Sequence, residues 1–220
     1  MINLQLNNKL LFISIVCLCS ACTPKKEHTE NRREEPHSTK LEQQFQQWKA
    51  QQNQNTLNEY HQFIATNLTQ APSLFALAYN GHRMPQQCEQ YRFAIPPKKY
   101  WNNIINSLKL LEKLNKDQYF SQYKITSTFR SPEVNECIKG AKKSKHLFNY
   151  AVDFQVLDQN LQGMKEQQFA QRMCQFWKIE GRTYRMGFGI YGHNKFHIDT
   201  QGYRTWGYSY KTNTSPCLKD

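Results

Sequence analysis

Residues 144–157 read SKHLFNYAVDFQVL, and this stretch decides how the chain folds. Its second half, Ala151 to Leu157, alternates in the period-two manner of a β-strand. Val152, Phe154 and Val156 fall on one face, while Ala151, Asp153 and Gln155 share the other. A carboxylate in so apolar a strand needs a partner, because burying an unpaired charge is costly. His146, seven residues earlier, lies in the polar loop that leads into the strand.

Working outward, the pattern changes on both sides of this strand. Downstream, Lys165 to Trp177 carries Phe169, Met173, Phe176 and Trp177 on one helical face. Met186 to Tyr191 and Phe196 to Thr200 then read as a hairpin or two short strands, with glycines at the bends. Upstream, Tyr123 to Phe129 alternates and is β-branched, which predicts another strand. Ser131-Pro132-Glu133 opens a short helix, with a serine N-cap, proline in the first turn and an acid beside it. Pro96-Pro97 introduces a helix over Lys98 to Leu114, whose Trp101, Ile104, Ile105, Leu108, Leu111 and Leu114 recur at three- and four-residue steps. Leu41, Phe45, Trp48, Leu57, Tyr60, Phe63 and Ile64 mark one or two amphipathic helices before Pro72. Helices precede interspersed strands with no regular βαβ alternation, so the expected class is α+β: a small antiparallel sheet packed with helices.

The N-terminus has another character. Lys9 precedes a short apolar run from Leu10 to Cys19, too short to span a bilayer and suited to a signal peptide. Leu18-Cys19-Ser20-Ala21-Cys22 resembles a bacterial lipobox, which implies cleavage before Cys22 and acylation of its thiol. The expected organisation is a signal peptide over residues 1–21, a charged flexible tether over 22–40 and a single domain over 41–217. The expected location is the bacterial cell envelope, lipid-anchored at the periplasmic face of the outer membrane. In that oxidising setting Cys88, Cys137, Cys174 and Cys217 remain, an even number that implies two disulfides. Three pairings are open, and we favour Cys88–Cys137 with Cys174–Cys217. A zinc site built from these four cysteines would want a C-x-x-C spacing that they lack.

The formal net charge is +12, and one Lys with no acid in residues 1–21 leaves +11 after their removal (12 less 1). Such a balance favours anionic partners, among them cell-wall polymer and lipid headgroups. No recognition-helix signature and no basic–aromatic sheet pattern point to nucleic acid, and export argues against it.

Phe196-His197-Ile198-Asp199 supplies a second imidazole on a strand-like run. His146, Asp153 and His197 together offer two nitrogens and a carboxylate, and they leave a fourth position for water, as catalytic zinc sites do. From about Leu57 to Trp206 the chain resembles the zinc D-Ala-D-Ala carboxypeptidase family of metallopeptidases, M15, which shares its fold with Hedgehog signalling domains. The matching pieces occur in order along the chain. Cys88 to Pro97 resembles the pre-helix stretch of a peptidoglycan-directed subgroup. Thr126 to Pro132 is similar to its S-x-Y-R-S-P turn, and Asn135-x-Cys137-x-x-Gly140-Ala141 to its N-x-C-x-G-G-A element, with Lys139 where the first Gly stands. Ser144-x-His146-x6-Asp153, then Gly189 to Asp199, then Gly202 to Gly207 complete the pattern.

The resemblance implies zinc on His146, Asp153 and His197, and hydrolysis of peptidoglycan stem or cross-link peptides. It implies that Arg130 supports the oxyanion or binds substrate, and that Ser144 contacts substrate. Many members carry Glu or Asp three residues before the last ligand, whereas this chain has Asn194. If the strand reaches back that far, His193 shares a face with His197 and becomes the candidate base. Asp199, on the same face, is the expected hydrogen-bond partner behind His197. A zinc protein that binds cell wall without cutting it is the alternative that Asn194 keeps open.

Overall fold

The computed structural model describes residues 39–158 and 166–219. The expected signal peptide, Cys22 and nearly all of the tether lie outside the described residues.

The first two helices, α1 (Thr39–Ala50) and α2 (Gln54–Asn67), are separated by a turn in which Asn53 caps α2 by accepting a bond from the Thr56 amide. A five-residue helix, α3 (Leu74–Ala78), follows and is capped in the same way by Ser73. Phe45 of α1 packs on Phe75 and Phe93 in a small aromatic cluster of its own.

The expected helix over Lys98–Leu114 divides in two. Lys98–Ile104 is a 3-10 helix, and only Ile105–Lys116 is the α-helix α4. The first part is rich in Tyr, Trp and Asn, all modest helix formers, and the Trp101 indole donates back to the Pro96 carbonyl at 3.0 Å. Strand β1 (Tyr123–Ser127) is next, then α5 (Pro132–Cys137), which Ser131 caps through the Val134 amide. After them come β2 (Ala151–Val156), α6 (Glu166–Glu180), β3 (Gly187–Tyr191), β4 (Lys195–Asp199) and β5 (Arg204–Trp206).

The five strands form one sheet in the order β1-β2-β4-β3-β5. All pairings are antiparallel except β3 with β5, which is parallel, so the sheet is mixed at one edge rather than wholly antiparallel. Three residues are too few to show alternation, which is why β5 leaves no signal in the sequence. One face of the sheet is apolar. Val152, Phe154 and Val156 of β2, Phe188 and Ile190 of β3, and Phe196 and Ile198 of β4 are all buried there with α4 and α6. Phe154, Phe169 and Phe188 all approach Phe196, with ring centroids 5.5–5.9 Å apart.

Two disulfides tie the periphery to this frame. Cys88–Cys137 joins the 3-10 turn Gln86–Tyr91 to α5, and Cys174–Cys217 joins α6 to the C-terminal turn. The architecture is α+β, a helix-packed sheet with a buried polar cluster on its second face.

Candidate metal centre

The antiparallel register of β2 with β4 sets Asp153 directly opposite His197 on the face away from the aromatic core. The third side chain arrives from outside the sheet. Lys145–Phe148 forms one 3-10 turn, and Asn149 ends it in the left-handed conformation (φ 58°), so that the chain enters β2 at once. Two bonds pin this entry to the helical layer: the Ser107 hydroxyl donates to the Tyr150 carbonyl at 2.6 Å, and the Asn149 amide donates to the Tyr100 carbonyl at 3.1 Å. His146 is thereby delivered over the strand pair.

Three donor atoms converge. His146 Nε2 lies 3.1 Å from His197 Nδ1 and 3.2 Å from Asp153 Oδ1, and His197 Nδ1 lies 2.8 Å from the same oxygen. The outer nitrogens of the two rings fix their tautomers. His146 Nδ1 is 2.6 Å from the Thr128 carbonyl, which can only accept, so that nitrogen carries the proton. His197 Nε2 is 3.0 Å from Asp199 Oδ2, and the Asp199 carboxylate also takes two bonds from Arg204 at 2.6 and 3.0 Å. That nitrogen therefore carries the proton of the second ring. Two imidazole lone pairs then face one carboxylate oxygen inside a buried site, an arrangement that repels itself unless a cation sits among them. The donor set fits a metal ion, and two nitrogens with one carboxylate suit zinc with a position left open.

The electrostatics agree with that geometry. Burial pushes His146 down, and it outweighs the raising effect of Asp153. Burial would raise the Asp153 carboxyl, but charge and hydrogen bonds from His146 and His197 hold it well below the usual carboxylate range. His197 goes up despite its burial, because Asp153 and Asp199 flank it on both sides. Without a metal, a proton at Nδ1 answers the same need.

Arg130 borders the site. Its backbone amide donates to the His146 carbonyl, and its Nη2 stands 3.6 Å from Asp153 Oδ2 and 3.1 Å from His82 Nε2. Burial lowers the guanidinium pKa, with Asp153 opposing that effect. His82 is pulled down to about 4, chiefly by burial, so at neutral pH it is an uncharged neighbour that accepts from Arg130. Nothing in the sequence around His82 marks it; the isolated bridge between Asn80 and Ser127 carries it to the site.

Trp206 closes the other flank, 5.0 Å from the His197 ring, and its indole donates to the Tyr191 hydroxyl at 3.0 Å. Gly189, paired with His197, makes room for that indole, since a β-carbon there would stand 2.6 Å from it. Ser144 caps nothing with its side chain and lines the cleft above the three ligands. His193 does not join them. β4 begins at Lys195, and His193 sits exposed on the hairpin turn with φ 59°, so the alternation that would have aimed it beside His197 does not extend to it. Asn194 lies on the same turn, with φ 53°.

A family model described as Peptidase M15 matches residues 77–199, more than half of the chain, and that span includes His82, Arg130 and all three candidate ligands. Neither curated proteins nor solved structures returned a match. The chain belongs to the M15 peptidase family.

Proposed function

We propose that this M15 peptidase is zinc-dependent and cleaves peptidoglycan stem or cross-link peptides at the bacterial cell envelope. The observation that carries the reading is the convergence of two imidazole lone pairs and one carboxylate oxygen, 2.8–3.2 Å apart, on the floor of a cleft of about 1170 Å³. Zinc bound there would polarise a scissile carbonyl and lower the pKa of a water toward about 7.

The chain's own groups have distinct tasks. Asp199, held by Arg204, keeps the His197 proton on Nε2 and so keeps Nδ1 available as a ligand. Arg130, fixed by Asn135 and His82, offers N–H donors beside Asp153, where a peptide carbonyl or carboxylate oxygen would lie. Ser144 presents its hydroxyl at the rim for a substrate peptide. Cys22 would carry the lipid that keeps the domain at the membrane, facing the wall from the periplasmic side.

A second reading has its own support: Asn194 stands where many relatives carry an acid, and its amide takes up no proton. On that reading the protein holds zinc and binds wall peptides without hydrolysis. Incubating purified protein and stoichiometric zinc with sacculi separates the two. Released or trimmed peptides, absent with His146→Ala, support the peptidase; intact linear and cross-linked stems with zinc-loaded wild type reject it.

A further inference from the structure

Among the described residues, the cleft above the candidate ligands is lined by eight basic side chains and a single acid, Asp153. Two of the cations are engaged within the site: Arg204 by Asp199, and Arg130 beside Asp153. Lys124 has a partner as well, and the remaining cations are Arg83, Lys139, Lys143, Lys145 and Lys195. Among the described residues no ion pair holds Arg83, Lys139, Lys143, Lys145 or Lys195. A cluster of like charges around one concave surface repels itself, and it raises the local concentration of anions.

The placement of these cations is ordered. Lys124 of β1 and Lys195 of β4 are both in register with Gln155 of β2, so the three form a row across the sheet. Asp153 and His197 form the row two residues further along the same face, at about 7 Å. A peptide lying extended along the sheet with its scissile bond at the ligand row would bring a side chain one or two residues away to the lysine row. The loop that leads into His146 adds Lys139, Lys143 and Lys145 to the lining of the same cleft. Lys139 has φ 54°, a left-handed conformation that glycine adopts freely and that a β-carbon makes costly. This conformation ends α5, where the Gly140 amide donates to the Asn135 carbonyl, and it places the exposed lysine at the rim of the cleft.

We propose that the cleft selects acidic peptides, gripping carboxylates beside the scissile bond with Lys195 on the sheet and with Lys139, Lys143 and Lys145 on the loop that leads into His146. The proposal rests on the peptidase reading for the identity of the ligand as a peptide. It goes beyond that reading in naming the charge the peptide must carry and the residues that sense it.

The test uses the intact, zinc-loaded protein and two synthetic pentapeptides of one sequence. One carries glutamate side chains and a free C-terminus; the other has glutamines and a C-terminal amide. Calorimetric titration at low salt should show the acidic form binding about tenfold tighter, with the margin shrinking as salt rises. Lys195→Gln and Lys139→Gln should each weaken the acidic form by about threefold, the scale of a partly exposed ion pair, and leave the amidated form and the zinc content unchanged. Equal affinity for the two peptides overturns the proposal. So does equal weakening of both by the lysine variants, or displacement of the acidic peptide by inorganic phosphate at equal concentration, which would mark a general anion patch. The peptidase reading fails separately: if the acidic peptide binds in this pattern and neither peptide is cut, selectivity stands and hydrolysis falls. If both are cut with equal kcat/KM by wild type and variants, hydrolysis stands and selectivity falls.

Discussion

The two faces of β2 and β4 are built from adjacent residues, yet they do opposite work. On one face Phe154 and Phe196 are fully buried among aromatic rings, without a polar atom to satisfy. On the other, Asp153 and His197 are almost as well buried, at 8% and 5% exposure, but the contacts that orient them are polar and directional. The period-two geometry of a strand allows this, because one residue's step moves from oil to chemistry. The apolar face gains stability from area and needs only a fit. The polar face gains little net stability and depends on each lone pair having its cation or proton. The faces should therefore fail differently when changed.

The largest effect should come from the polar face and appear as lost chemistry rather than lost fold. Asp153→Asn removes the charge that draws a cation to the two imidazoles, while the new amide can donate to one of their lone pairs. We expect no stoichiometric zinc by metal analysis, peptide release at background, and a metal-free melting temperature only modestly below that of metal-free wild type, because Arg130 and His197 lose the carboxylate between them. A metal-free variant that melts well below wild type would show that the carboxylate serves the fold. One residue along, Phe154→Ala should reverse the pattern, costing about 3–5 kcal/mol of stability in denaturant titration by leaving a core cavity. Whatever of that variant remains folded should still bind zinc one to one.

A smaller effect sharpens the comparison from behind the ligands. Arg204→Gln leaves the fully buried Asp199 without its cation and loosens the tautomer lock on His197. Chelator competition should show zinc affinity reduced by about 10–100-fold, the range typical of groups that orient a metal ligand. Unchanged affinity would mean that the Thr128 carbonyl and the β2–β4 register position the site unaided.

The faces also differed in how much of them could be read from sequence. The alternation in Ala151–Leu157 and the spacing in the 98–114 segment gave the strand, the helical stripe and hence the apolar face, since periodic burial leaves periodic residues. The convergence of His146, Asp153 and His197 followed from ordered motifs and one register. What escaped was set by tertiary placement. His82 reaches the site through an isolated bridge, and β5 pairs through three residues. Arg204 stood in a recognised motif, but its bond to Asp199 is a fact of the fold. His193 does not share the face of His197 for a local reason: the turn takes residues 192–194 with left-handed backbone at His193 and Asn194, and alternation ends where the strand does.

The smallest predicted effect concerns Lys139, on the rim and on neither face. Its left-handed backbone costs a residue with a β-carbon about 1 kcal/mol relative to glycine. Lys139→Gly should therefore stabilise the protein by somewhat less than that, about 0.5–1 kcal/mol in denaturant titration, because glycine also frees the unfolded chain. Gly140 next to it offers the contrast: a β-carbon there would stand 2.2 Å from Asn135 Oδ1, so Gly140→Ala should destabilise although the site is on the same loop. A stabilised Lys139→Gly that binds acidic peptide more weakly would show one position trading stability for charge at the cleft. A destabilised one would show instead that the aliphatic stem of Lys139 packs on the loop, and the strain would then have a structural cause.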